Sequence, residues 1–327
     1  LDIPPFRQLR RARAVLLAVS AHLTLLVCSR KYGPTTGKHH MARISSLAEA
    51  IEATVRDGDT LAVEGFTHLI PHAAGHEVIR QRRKRLTLIR MTPDLIYDQL
   101  IGMGCVEKLI FSWGGNPGVG SLHRFRDAVE NGWPHKLAIE EHSHAAMANA
   151  YEAGAAGLPC AIFRGYIGGD LPKVNPNIKR VTCPFTGEEL AAVPAHRPDV
   201  AVIHAQRADK AGNVLIEGVL GVQKEAVLAS KRSVVTVEEI VDELSPDRSL
   251  NACVLPHWTV GYVAEVPGGA FPSYAQGYYP RTNSFYKQWD TISRERDSFL
   301  KWMDANVLRK GPEVFAEHVR KFRDAAE

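Results

Sequence analysis

Thr60-Leu-Ala-Val-Glu-Gly-Phe-Thr-His-Leu-Ile-Pro-His-Ala-Ala-Gly-His76 decides how the chain is read. The turn signal Asp57-Gly58-Asp59 precedes a short apolar run, Thr60 to Val63, which breaks at Gly65. Beyond Pro71 the pattern becomes helical, with Ala73, Val78 and Ile79 as apolar marks. Strand, glycine loop and helix in this order form the place where an α/β protein holds a ligand. The same pattern also describes an ordinary strand-to-helix turn. Gly65 has no Cβ, so backbone N–H groups there can approach a substrate closely.

Upstream, Ser46 to Val55 predicts an amphipathic helix. Leu47, Ile51 and Val55 share one stripe, and Ser46 with Glu49 forms a capping box. Downstream, the helix after Pro71 is expected to run through Glu77 to Arg85, its basic end Arg82-Arg83-Lys84-Arg85 favoured by the helix dipole. Strands are expected at Leu86–Ile89, Lys108–Ser112, Leu137–Glu140, Ala161–Arg164, Val200–His204, Asn213–Ile216 and the β-branched Ser233–Val237. Helices are expected from Pro93, at Leu122–Glu130, Ala145–Ala155 and Gln223–Ser230, with Pro172–Thr186 as loop. This alternation predicts an open, mostly parallel α/β sheet with flanking helices. From about residue 243 the alternation weakens. An aromatic, Pro/Gly-rich arm carrying Trp258, Tyr262, Phe271, Tyr274, Tyr278 and Tyr279 leads to helices at Phe285–Leu308 and Pro312–Ala326. The arm is expected to pack over the body or onto another protomer.

The chain has 327 residues, 45% hydrophobic and 23% charged, with a formal net charge of +4, an ordinary globular balance. No concentrated basic face with interleaved aromatics points to nucleic acid. The five cysteines (Cys28, Cys105, Cys160, Cys183, Cys253) are scattered without a C-x-x-C pair, which fits free thiols in a reducing, cytoplasmic setting. The first forty residues differ from the rest: Arg7, Arg10, Arg11 and Arg13 precede the apolar run Ala14–Cys28, too short for a bilayer span. Residues 1–40 are read as an upstream extension before a natural start at Met41, with an export signal as the alternative. Residues 41–327 are read as the functional domain, and no membrane partner is expected.

Candidate chemistry is dispersed. Trp113-Gly-Gly-Asn-Pro-Gly-Val-Gly120 follows a strand and could cradle phosphate at a helix start. It is neither a dinucleotide fingerprint nor a Walker loop, since Ser121 stands where lysine is required. His68, His72 and His76 are spaced by four, but Pro71 interrupts their helix and no metal site is expected, nor one at His142 and His144. No G-x-S-x-G elbow occurs. Acids at strand ends remain as candidates: Glu64, Glu140, Glu141, Glu217, Glu238 and Glu239.

Four stretches carry a resemblance further. Asp57 to Pro71, Phe111 to Gly120, Pro198 to Asn213 and Val234 to Asp242 resemble, in order, motifs of the α-type chains of the family I coenzyme A transferases. Met91 to Asp98, Cys183 to Glu188 and Gly268 to Pro280 are similar to members that move CoA from succinyl-CoA to 3-oxoadipate during aromatic-compound degradation. The resemblance implies a glutamyl-CoA intermediate, no cofactor beyond CoA as substrate, and a β-type CoA-transferase chain as partner in an A2B2 heterotetramer. It also implies that the nucleophilic glutamate lies in that partner, in a Ser-Glu-Asn-Gly motif absent from this chain. In such a shared site Gly65, Phe66, Gly114, Gly115 and Asn116 of this chain are read as pocket-lining, with Glu141, His142 and Ser143 beside them. The alternative readings are a glutaconate-type transferase of the same α type, and a CoA-thioester hydrolase or ring-opening enzyme using Glu141 as base. A non-enzymatic module binding a sugar phosphate or effector is a third. A second substrate carboxylate would need a cation, for which Arg164, Lys173 and Arg207 are candidates.

Overall fold

The computed structural model describes residues 42–116, 119–245 and 251–324. The expectation for residues 1–40 lies outside them, as do Pro117 and Gly118 of the second glycine loop.

Eight strands form one parallel sheet, in the order β1, β13, β11, β9, β2, β3, β4, β5. Their ranges are β1 Arg43–Ile44, β2 Thr60–Glu64, β3 Leu86–Arg90, β4 Val106–Phe111, β5 Ala138–Glu141, β9 Val200–Asp209, β11 Arg232–Val241 and β13 Tyr262–Glu265. From β2 the chain steps outward through β3, β4 and β5, whereas from β9 it steps the other way through β11 and β13. The order therefore reverses between β2 and β9, and in an open α/β sheet the crevice beyond the strand ends at such a point is where ligands bind. Two antiparallel strands, β10 (Val214–Glu217) and β12 (Ala252–Leu255), extend the sheet from β9. β6 (Cys160–Phe163), β7 (Lys179–Thr182) and β8 (Glu189–Pro194) form a separate antiparallel sheet.

Local sequence explains much of this. The helix Leu47–Thr54 starts at the expected capping box: Glu49 N–H donates to Ser46 Oγ at 3.3 Å, and Ser46 N–H to the Glu49 carboxylate at 3.1 Å. β2, β3, β9 and β11 are covered on both faces, so they read as near-continuous apolar runs.

Several expectations need correction. The helix after Pro71 spans His72–Arg80 and does not continue to Arg85; Arg82 and Arg85 both have φ 55°, which ends it. β9 runs five residues beyond His204, because the buried His204 and Gln206 find partners: Thr236 and Glu238 for the imidazole, the Glu217 carbonyl for the amide. The expected loop Pro172–Thr186 begins inside a short helical turn, Leu171–Val174, and contains β7. The C-terminal arm begins later than residue 243, since β12 and β13 are sheet strands. The long helix expected over Phe285–Leu308 is two helices, Asn283–Ile292 and Arg296–Met303, the second passing into a wide turn at Asp304–Leu308.

The arm packs over the body. Tyr274 packs on His68 with ring centroids 4.5 Å apart, and the buried Tyr279 hydroxyl donates to Glu238 at 2.6 Å. Trp289 sends its indole N–H to the buried Asp98 at 3.0 Å. Trp258 alone among the arm's named aromatics is strongly exposed, at 67%.

Candidate active site

The loop after β2 is tight. A Cβ on Gly65 would lie 2.7 Å from the Leu69 carbonyl oxygen and 2.9 Å from both the His68 oxygen and the Ile70 Cα. All three are backbone atoms and cannot swing aside, so glycine is required. Thr67 and Leu69 both adopt left-handed backbone, φ 55° and 53°, which costs a non-glycine residue roughly 1–3 kcal/mol. The arm holds this strained turn: Ser273 Oγ donates to the Thr67 carbonyl at 2.8 Å and Leu69 N–H to the Tyr274 carbonyl at 2.9 Å.

Beneath the turn lies a buried polar floor. Arg90, at the end of β3, donates to the Gly65 carbonyl at 2.8 Å and to both oxygens of Asp94 at 3.3 Å. Asp94 in turn accepts the Ile96 N–H as N-cap of the helix Leu95–Gly102. Glu64, 2% exposed, accepts from the Tyr151 hydroxyl at 2.8 Å. Burial pushes its carboxyl up to about 7, against the opposing pull of Arg90 and the Tyr151 hydrogen bond. Charge is thus held under the turn without reaching solvent.

Above the floor opens a cleft of about 270 Å³. Its walls come from the residues just past four consecutive strand ends: Phe66 and Thr67 after β2, Thr92 after β3, Trp113 and Gly115 after β4, His144 after β5. Arg281 and Tyr286 of the C-terminal segment close the remaining side. His144 joins two hydroxyls across the strand ends, Nδ1 to Ser112 Oγ at 3.0 Å and Nε2 to Thr92 Oγ1 at 3.1 Å. Phe66 and Trp113 flank the cleft with 39% and 45% of their surface exposed, and Val219 and Leu220 are exposed near Phe66, which touches Gly221.

The residues singled out from sequence divide into two places. Phe66 and Gly115 line the cleft, and Gly65 forms the backbone behind it. Gly114 faces Phe125 and Leu122 instead. Asn116 is buried, and neither atom of its carboxamide has a partner among the described residues. His142 and Ser143 lie apart from the cleft lining. His142 is buried with Nε2 on Glu140 at 2.9 Å, beside Asn175 and Tyr166. Ser143 caps the helix His144–Ala155 by accepting the Ala146 N–H at 3.1 Å. Glu141 is exposed and contributes its backbone carbonyl to Asn175.

The other strand-end acids are paired. Glu140 meets Lys108 at 2.6 Å, and the His142 hydrogen bond, ahead of Lys108, pulls its carboxyl down to about 2. Glu217 pairs with Arg207, Glu238 with His204, and Glu239 accepts from Tyr278. Arg90, Thr92, Ser112, His144, Arg281 and Tyr286 were missed from sequence. For Thr92, Ser112 and His144 a signal existed, since each lies within three residues of a strand end; Arg281 had none.

The comparisons with known proteins agree with this geometry. Residues 44–265 match the coenzyme A transferase family model. The chain is 63% identical over 284 residues to one of the chains of the 3-oxoadipate CoA-transferase of Pseudomonas knackmussii, covering 87% of this chain and 99% of that one. Glutaconate coenzyme A-transferase from Acidaminococcus fermentans superposes with a TM-score of 0.78 at 31% identity, over 85% of this chain and 93% of that one. A variant of the AibA/AibB decarboxylase superposes with a TM-score of 0.69 at 29% identity, over 81% of this chain and 99% of that one, so related architecture also serves other chemistry. The glycine turn after β2, the cleft beyond the ends of β2 to β5 and the extent of the match lead to one assignment: the chain belongs to the coenzyme A transferase family.

Proposed function

We propose that this chain is the α-type half of a two-chain CoA-transferase that moves CoA from succinyl-CoA to 3-oxoadipate in the breakdown of aromatic compounds. The observation that carries this reading is the make-up of the cleft. Backbone turns, hydroxyls, an imidazole and cations form it, and its one acid among the described residues, Asp94, is occupied by Arg90 and the Ile96 N–H. Such a cleft positions a substrate but offers no free carboxylate to attack one. The relative in Pseudomonas knackmussii is itself named as one part of a multi-chain enzyme. The partner in this reading is a β-type chain carrying the nucleophilic glutamate, assembled as A2B2 in the cytoplasm. No helix among the described residues is long and apolar enough to cross a membrane.

The chemistry follows from what each side supplies. The partner's glutamate attacks the succinyl thioester carbonyl, expelling CoA thiolate and forming a mixed anhydride. The thiolate then attacks the glutamyl carbonyl of that anhydride, releasing succinate and leaving a glutamyl-CoA thioester. The acceptor acid repeats the sequence in reverse and departs as its CoA thioester. A carboxylate is a weak nucleophile in water, so holding the reactants together is the main requirement. The Gly65 turn and the loop around Gly115 set the wall against which the acid lies. Phe66 and Trp113, apolar and exposed at the rim, are placed for cover by the partner, which would keep water from the anhydride. Glu141 stands exposed outside the cleft lining, so nothing in its placement favours the hydrolase alternative.

The test is reconstitution. Purified chain mixed with a companion bearing Ser-Glu-Asn-Gly should exchange CoA between succinate and 3-oxoadipate, with neither chain active alone. Transfer to glutaconate but not to 3-oxoadipate would move the assignment to the neighbouring substrate class.

A further inference from the structure

We infer that Arg281 reads the distal carboxylate of the acid substrate and so sets the preference for dicarboxylic over monocarboxylic acids; this rests on the transferase reading above. The cations suggested by sequence stand elsewhere. Arg164 is ion-paired to Glu188 beside the small sheet, Lys173 to Asp170, and Arg207 to Glu217, and none lines the cleft.

Two arginines do line it. Arg90 is fully buried and committed to the Gly65 carbonyl and to Asp94. Arg281 is different. It is half-buried, and its guanidinium lies 4.4 Å from the centre of the fully buried Tyr286 ring. Its Nε is buried without a hydrogen-bond partner, its fork shares a hydrogen bond with the Tyr286 hydroxyl, and the Asp94 charge acts on it without coming close enough for an ion pair. Asp94, the acid in the same wall, is already taken up by Arg90 and a backbone N–H.

Contact with Tyr286 fixes the plane of the fork and leaves donors over, which suits paired N–H···O bonds to an incoming carboxylate. Arg281 also sits at the start of the helix Asn283–Ile292, where the Thr282 N–H is anchored to the Pro272 carbonyl at 3.0 Å. A cation held in this way in the lining of the cleft would select substrates with a second negative charge. A substrate lacking that charge leaves the partly desolvated guanidinium unpaired, which is the basis of strong discrimination.

The experiment uses the assembly with its partner chain. Acetyl-CoA serves as donor, so that the donor brings no second carboxylate, and 3-oxoadipate is compared with 3-oxobutanoate as acceptor. For Arg281→Met, kcat/KM for 3-oxoadipate should fall by ~10²-fold or more while that for 3-oxobutanoate changes by less than ~3-fold. Arg281→Lys, which keeps the charge but not the fork, should fall between. Equal losses on both acids, or no loss on either, would overturn the inference. If the wild-type assembly transfers CoA to neither acid from acetyl-CoA or from succinyl-CoA, the transferase reading fails, and calorimetric binding of adipate against hexanoate judges Arg281 separately. A wild-type preference for adipate that Arg281→Met abolishes supports it; binding that the substitution leaves unchanged refutes it.

Discussion

The end of β2 and the end of β5 each carry a glutamate in the same sheet, and the two are held in opposite ways. Glu64 lies in the sheet's interior, closed off by the Gly65 turn and touched by the Tyr151 hydroxyl, and burial drives its carboxyl up to about 7. Glu140 lies on the edge strand, where His142 and Lys108 reach it and pull its carboxyl down to about 2. The same helix connects them: Ser143 caps the helix that leaves β5, and Tyr151, two turns on, meets Glu64. Position along a strand therefore says little about what an acid can do. Neighbours decide, and here both acids are absorbed into the frame around the cleft.

Gly65→Ala should break the β2 side most severely. The added methyl has only backbone to meet, so the turn must open, at a cost of about 3 kcal/mol or more. Transfer by the reconstituted assembly should drop by ~10²-fold or more, because the wall beside the substrate moves. Initial-rate assays with thermal unfolding as the companion measurement check this.

Glu64→Gln sharpens the contrast through pH. Glu64 has a folded value raised from 4.5 to about 7, so between those limits the folded chain binds more protons than the unfolded one. Its contribution to stability is therefore present below 4.5 and is lost as pH rises towards 7, by about 3 kcal/mol across the window. The glutamine variant keeps an acceptor for Tyr151 and should lack this decline, so its unfolding curve should be flatter from pH 4.5 to 7.

Glu140→Ala tests the other end, with the opposite sign. A depressed folded value means stability that is present above 4.5 and lost as pH falls towards 2. The variant should be less stable than the parent by about 2 kcal/mol at pH 7, with the gap closing on acidification. Denaturant titrations at several pH values read this directly. Activity should change little, since Glu140 lies outside the cleft lining.

Where local sequence controlled local structure, the chain was readable. The Ser46 capping box and the β2–Gly65–helix unit depend on neighbours a few residues apart, and the parallel sheet announces itself through the alternation of strands and helices along the chain. β9 was read short because His204 and Gln206 look like surface residues until Thr236, Glu238 and the Glu217 carbonyl appear beside them. β7 was missed because Lys179–Thr182 is short and largely exposed, with only one antiparallel neighbour. At the site, Gly65, Phe66 and Gly115 were legible as loop residues after strands. His142 and Ser143 satisfied the same rule, yet they stand around Glu140 and a helix cap. Arg281 was invisible because only tertiary folding brings it back, from far along the chain, to Thr92 and Phe66.

The central claim is that this chain shapes the cleft and the partner's glutamate does the attacking. Treating the loaded assembly with succinyl-CoA and then borohydride reduces any glutamyl thioester to an alcohol that peptide mass spectrometry can locate. The account predicts the reduced glutamate on the partner chain alone; a reduced glutamate on this chain, at Glu64, Glu141 or elsewhere, would contradict it.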